Sequence, residues 1–319
     1  MATEGRDKVI AAAVFANLAI AVMKFIAAAF TGSAAMASEG IHSLVDTGNG
    51  VLIGVGSRRS RRPPDDAHPF GHGKELYFWT FVVSVVVFGV GAGMSIYQGV
   101  THLVRPHRIE NMTWSYLVLG VSAVLEGASW VVAARMFAGV KGHRGVWQTI
   151  RGTKDPTTFA VLLEDSAALA GLVVAFIGIS LGQALGLPIL DAVASLVIGL
   201  LLAAVAVVMA RESMGLLVGE SASGPLVADV RALAARDPAV EHVGRVLSVH
   251  FGPDAVLINM EVRFHADGSL PDLRAGIERI EEAVQRAHPE VKWVFFAAEE
   301  LARPPLPAAG PGTSAHPVH

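Results

Sequence analysis

Long apolar runs over the first two thirds of the chain decide what it can fold into. A bilayer core about 30 Å thick is crossed by roughly 20 mainly apolar helical residues. Six such runs occur, near residues 8–30, 34–56, 76–98, 113–137, 158–182 and 188–213. Backbone N–H and C=O groups in lipid find no water, so spans of this length close their hydrogen bonds internally as helices. The predicted fold is therefore an α-helical membrane protein with six transmembrane helices over residues 8–218, preceded by a cytoplasmic N-terminal tail at 1–7. Composition agrees: 52% of the 319 residues are hydrophobic and 17% are charged, where a soluble domain is about a quarter charged. The N-terminus shows no small-residue cleavage site after a short apolar core, so no removable signal peptide is expected.

Lys and Arg in the loops set the expected orientation. The second-to-third loop carries Arg58, Arg59, Arg61, Arg62 and Lys74, and the fourth-to-fifth carries Lys141, Arg144, Arg151 and Lys154. On the opposite side only Arg105 and Arg108 occur. Both termini and the basic loops are thus expected in the cytoplasm.

After Gly219 the pattern changes to that of a soluble chain. Residues 224–236 and 271–288 have amphipathic helical spacing, and 243–250, 255–264 and 291–297 read as strands, with a turn at Phe251–Asp254. That order, α-β-β-α-β, fits a small ferredoxin-like α+β domain over 219–302. The Pro- and Ala-rich tail at 303–319, with His316 and His319, is expected to be disordered. A formal net charge of −3 and the lack of a basic aromatic surface give no reason to expect a nucleic-acid partner. The chain has no cysteine, so a metal site must draw on His, Asp, Glu, backbone or water.

Charges inside the spans carry the chemistry. A carboxylate at mid-span costs about 2.5–3.5 kcal/mol on insertion scales, so it turns toward a cavity or a partner. Glu39, His42 and Asp46 follow i, i+3, i+7 spacing on one helical face. His42 and Asp46, four apart, can ligate one ion together. Glu164 and Asp165 in the fifth span are adjacent and point about 100° apart, so only one aims easily at the second span. Glu126 lies in the fourth span. A purely structural hydrogen-bond cluster would have to offset the summed insertion cost of all these groups. A second cluster, Asp65, His68 and His72, lies in the second-to-third loop. Its imidazole and carboxylate donors suit zinc and neighbouring ions.

The run Ser38-Glu39-Gly40-Ile41-His42-Ser43-Leu44-Val45-Asp46 resembles the second span of the cation diffusion facilitators, the zinc-transporter family. The loop run His68-Pro69-Phe70-Gly71-His72-Gly73-Lys74 resembles that family's loop signature. Glu164-Asp165-Ser166 is similar to the branch containing the mitochondrial or nuclear-associated animal member and bacterial relatives. The resemblance implies a Y-shaped homodimer in a bacterial inner (plasma) membrane. It would exchange a divalent cation, zinc with Mn, Fe or Co as further candidates, for protons. It implies a transport site of His42, Asp46 and Asp165, with the remaining position on Val161 where many members have His. Glu164, Glu126 or water then completes the set, and Glu39 and Glu126 are accessory intramembrane candidates. A loop site at Asp65, His68 and His72, and a domain interlock at Lys74 and Glu220, are implied as well. A site in the polar domain is not supported: Asn259 and the Phe-Phe-Ala-Ala run replace the usual histidines, and His242, His250 and His265 have no evident partner set. Two other classes compete. An intramembrane metallohydrolase would want a motif such as His-Glu-x-x-His, which is absent. A non-transporting interaction protein on the same scaffold should have lost its intramembrane ligands.

Overall fold

A computed structural model of the chain describes residues 2–105, 112–141, 145, 149 and 154–297, with side chains in the first helix from residue 17. The expected tail with His316 and His319, and Arg108, Arg144 and Arg151, lie outside the described residues. Two compact units form: Met1–Glu220 with His250–Pro253, and Ser221–Val249 with the chain from Asp254 onward.

The first unit is a bundle of long helices: α1 (Ala2–Thr31), α2 (Ala34–Ser60), α3 (Lys74–Val86) continued through a π-helical turn (Val87–Ala92) into α4 (Gly93–Val104), α5 (Met112–Lys141), α6 (Pro156–Leu185) and α7 (Ile189–Val218). Among the described residues, four stretches are long and apolar enough to cross a membrane: Lys74–Val104, Thr113–Gly139, Phe159–Leu185 and Ile189–Val218. Of the two other expected spans, α1 is described with side chains as the shorter apolar stretch Asn17–Thr31, and α2 carries the Glu39–His42–Asp46 face. The helices outrun the apolar runs at their ends. In α2 the extension takes in Arg58 and Arg59, cations that suit the negative end of the helix dipole.

Polarity is inverted relative to a water-soluble fold. Large apolar side chains such as Val104 (74% exposed), Val124 (72%) and Met136 (66%) point outward. Lys24, Glu39, His42 and Asn49 are buried. With lipid as apolar as leucine, close packing holds helices together. A Cβ on Gly99 of α4 would meet Leu196 Cγ at 2.6 Å, and one on Gly199 of α7 would meet Ile96 Cγ1 at 2.7 Å. The two helices therefore cross too closely for any larger residue at either position.

The second unit has the expected order: α8 (Gly224–Ala235), β1 (Val240–Gly252), β2 (Ala255–Phe264), α9 (Leu270–Ala287) and β3 (Val291–Ala297). The sheet order is β1-β2-β3, with β2 and β3 parallel. The expected four-residue turn shortens to Pro253-Asp254, because Phe251 and Gly252 stay in the strand. Alternation along β2 buries Val256, Ile258, Met260 and Val262 against Val230, Ile280 and Val284 of the helices. Ser269 and Asp272 start α9 with a reciprocal capping box.

Candidate metal centre and membrane-embedded charges

The depth of α2 is set at its N-terminus. Gly32 turns the chain at φ 68°. Ser33 then caps the helix by accepting from Met36 N at 3.1 Å. Asp191 on α7 accepts from Ser33 Oγ at 2.6 Å and from Ala34 N at 2.5 Å, satisfying helix-end donors that would otherwise be bare. One carboxylate thus fixes where the ligand-bearing face of α2 lies along α7.

Further down that face the sequence-predicted pair is in place. His42 Nε2 lies 3.4 Å from Asp46 Oδ2, with His42 buried and Asp46 20% exposed. Both ring nitrogens of His42 and Asp46 Oδ1 are buried without a hydrogen-bond partner. The fifth-span carboxylates diverge as their spacing requires. Glu164, buried, accepts from Asn49 Nδ2 of α2 at 2.9 Å. Asp165 turns to α5 and accepts from Ser129 Oγ at 2.9 Å. Glu164 is therefore the residue bonded to the second helix, and Asp165 is bonded to the fourth long one. Glu164, Glu126 and Asp165 are still near enough to Asp46 to interact with it electrostatically. These donors do not converge into three within 4.8 Å; among the described residues only the loop cluster does. Val161 is 40% exposed.

A charge network stands one helical turn away, and its key residue escaped sequence reading. Lys24, fully buried on α1, donates to Glu39 Oε2 at 2.9 Å, Ser43 Oγ at 2.9 Å and Glu126 Oε1 at 2.7 Å. The two accessory carboxylates are thus engaged with an ammonium. The signal was present as a single lysine in the middle of an apolar run. Asn49, which holds Glu164, was likewise overlooked, because an uncharged amide does not stand out in a span.

In the loop, Asp65 gathers both histidines. Its Oδ1 lies 3.1 Å from His68 Nδ1 and its Oδ2 3.5 Å from His72 Nε2. The two rings sit 4.2 Å apart between centroids. The His68 backbone N–H, 2.7 Å from Asp65 Oδ1, holds the carboxyl below its usual range, with the imidazoles assisting. His72 is nearly buried while Asp65 and His68 are half exposed, so the cluster opens to solvent on one side. Two imidazoles and a carboxylate fit a zinc-type ion, with water left to fill the fourth position. Gly71, at φ 80°, makes the turn that brings His72 back toward Asp65.

Of the two interlock candidates, Lys74 donates to Leu217 O at 3.4 Å and Glu220 pairs with Lys154 at 2.7 Å. In the second unit Asn259 pairs in register with Phe295, and His242 and His265 are exposed; His250, near the end of β1, is a buried strand residue that belongs to the first unit. Among the described residues no metal-type cluster forms there.

The fold and its buried donors define a class: a helical membrane protein with ligand-type side chains inside the bundle and an imidazole–carboxylate cluster in a loop. The chain belongs to the cation efflux family, whose transmembrane domain matches residues 10–218. It is 31% identical to the Xenopus laevis protein named proton-coupled zinc antiporter SLC30A9, mitochondrial, over 92% of this chain and 60% of that one. Metal tolerance protein C4 of Arabidopsis thaliana is 31% identical over 81% of this chain and 57% of its own length. Manganese efflux system protein MneP of Bacillus subtilis is 24% identical over 92% of this chain and 93% of its own. The chain thus spans about three fifths of the length of the first two relatives. The family is one of transporters, not enzymes.

Proposed function

We propose that this chain exports divalent metal cations in exchange for protons, with zinc or manganese as cargo. The observation that carries this reading is the orphaned pair on α2. Buried polar atoms are nearly always hydrogen-bonded, yet His42 Nδ1 and Asp46 Oδ1 have no partner, and His42 Nε2 has only the long 3.4 Å contact with Asp46 Oδ2. A structural cluster would satisfy its own atoms; ligands waiting for a visiting ion would not. The relatives named as a zinc antiporter and a manganese efflux protein support the same cargo class.

In this reading His42 and Asp46 hold the ion and Glu164 joins them when α6 closes on α2, with Asp165 or water completing the set, since Glu126 is held by Lys24. One imidazole among carboxylates is a harder site than two imidazoles, so manganese, iron or cobalt enter alongside zinc. Ligation needs a neutral imidazole and ionised carboxylates, so metal arrival releases protons and an empty site takes them up. The loop cluster is a second, solvent-facing site. Six helices span the membrane, both termini are cytoplasmic, and the membrane is a bacterial inner membrane. The Glu164-Asp165 pair marks the branch shared with the mitochondrial animal relatives. Two chains form a homodimer that covers apolar residues of the small unit, among them the half-exposed Phe295. Zinc and manganese flux into sealed proteoliposomes under a pH gradient tests the transport reading. Asp46→Ala removes a ligand and little core volume, so it should abolish flux while the protein stays folded. Wild-type flux in that variant overturns the assignment.

A further inference from the structure

We propose that Glu39, Ser43 and Glu126 form a second cation site inside the bundle, and that the protein fills it with its own tethered cation, the ammonium of Lys24. The proposal goes beyond the transport reading and does not depend on it. Three oxygens from two helices, α2 and α5, converge on Lys24 Nζ at 2.9, 2.9 and 2.7 Å. A lysine ammonium has three N–H donors and no acceptor, and each is spent on one of these oxygens. The nitrogen therefore sits where a coordinated ion would sit.

Two further observations point to a ligand set rather than a simple tie between helices. Glu39 Oε1 and Glu126 Oε2 are both buried with no hydrogen-bond partner. Each carboxylate so keeps a spare oxygen, enough to chelate a larger charge in two-toothed fashion. The charges also fall short of balance, with two carboxylates against one ammonium. A divalent ion would balance them. The donors are all oxygen, which suits hard cations such as Mn²⁺, Mg²⁺ or Ca²⁺ better than zinc. Oxygen ligands to such ions stand at about 2.0–2.6 Å, so the oxygens need to move in by a few tenths of an ångström for the largest ion and by up to about 0.9 Å for the smallest, or admit water. His42 lies one turn from Glu39 on the same helix. The plug thus keeps a second divalent ion from sitting beside the proposed cargo.

The test counts Mn²⁺ bound at equilibrium to full-length purified protein, with Lys24→Met keeping the side-chain volume and removing the charge. We expect Lys24→Met to bind one Mn²⁺ per chain more than wild type, Lys24→Arg to keep the wild-type count, and Lys24→Met with Glu126→Gln to lose the added ion. A folded Lys24→Met with the wild-type count overturns the proposal. So does an added ion that survives Glu126→Gln. Should Lys24→Met fail to fold in chelator, recovery by millimolar Mn²⁺, Mg²⁺ or Ca²⁺ supports the site, since the ion replaces the ammonium. Failure to recover in all three overturns it. Flux in Asp46→Ala is read separately, so a failure of the transport reading leaves the ion count standing.

Discussion

Gly171→Ala should destabilise this protein, against the sign that helix propensity alone gives. In an exposed helix interior the change favours the helix by about 1 kcal/mol. Gly171 of α6, however, backs onto the Glu39 carboxylate: an added Cβ would stand 2.2 Å from Oε1 and 3.4 Å from Cδ. Ordinary contact would require the carboxylate to retreat by about 1 Å. On a surface it would swing aside. Here Glu39 is fully buried, and its other oxygen is held by Lys24 at 2.9 Å. A shift of that size breaks the pair, and breaking a buried pair costs about 3–5 kcal/mol. The net expectation is a loss of about 2–4 kcal/mol after the propensity gain. Thermal unfolding of the detergent-solubilised protein measures it. Glu39→Asp shortens the side chain by one methylene and makes room, so Gly171→Ala should cost less in that background. Non-additivity of at least about 1 kcal/mol is expected for residues in such contact. If Gly171→Ala melts at or above the wild-type temperature, the rigidity argued for the Lys24–Glu39 pair is wrong.

Other consequences are checked by substitution. Glu164→Gln should reduce metal flux more than Asp165→Asn, because Glu164 is bonded to α2 through Asn49 while Asp165 is bonded to α5 through Ser129; the reverse order in liposomes would make Asp165 the principal ligand. His68→Ala or His72→Ala should remove one bound zinc equivalent while leaving part of the flux, and an unchanged zinc count would remove the loop site. In the small unit Arg279 donates twice to Asp237, at 2.8 Å each, and these bonds hold the Asp237 carboxyl below its ordinary 3.8. A depressed folded-state pKa means stabilisation that is present above 3.8 and lost as pH falls through the lower, folded value. Asp237→Asn should therefore lower the melting temperature at pH 7 by an amount reflecting about 1 kcal/mol and shrink the loss seen on acidification below pH 4. An acid limb as steep as wild type would assign that loss to other carboxylates.

The candidate site was legible wherever local spacing determines it. His42 and Asp46 meet because four residues make one helical turn, and Asp65, His68 and His72 gather within a single short loop. Neither needs knowledge of a distant segment. The small unit was legible for the same reason, since the period-two alternation of β2 and the helical spacing of α9 are properties of each segment alone. The π-helical turn at Val87–Ala92 was not, although Gly89 and Gly91 lie within it, because glycine permits a widened turn without requiring one.

What the sequence determined by itself was the number of long apolar runs, the faces on which charges line up, and the kinds of donor available. A helix repeats its geometry, so spacing converts directly into direction. Tertiary structure alone decided which faces meet. Glu164 and Asp165 are neighbours in sequence with equal claims on the second helix, and the rotation of α6 gave α2 the first and α5 the second. Glu39 and Glu126 read as spare metal ligands until α1 brought Lys24 between them, across 15 and 102 residues of chain. Pairing of buried charges depends on the packing of helices that no local period encodes, and in a low-dielectric interior that pairing sets which carboxylates are free to bind an ion.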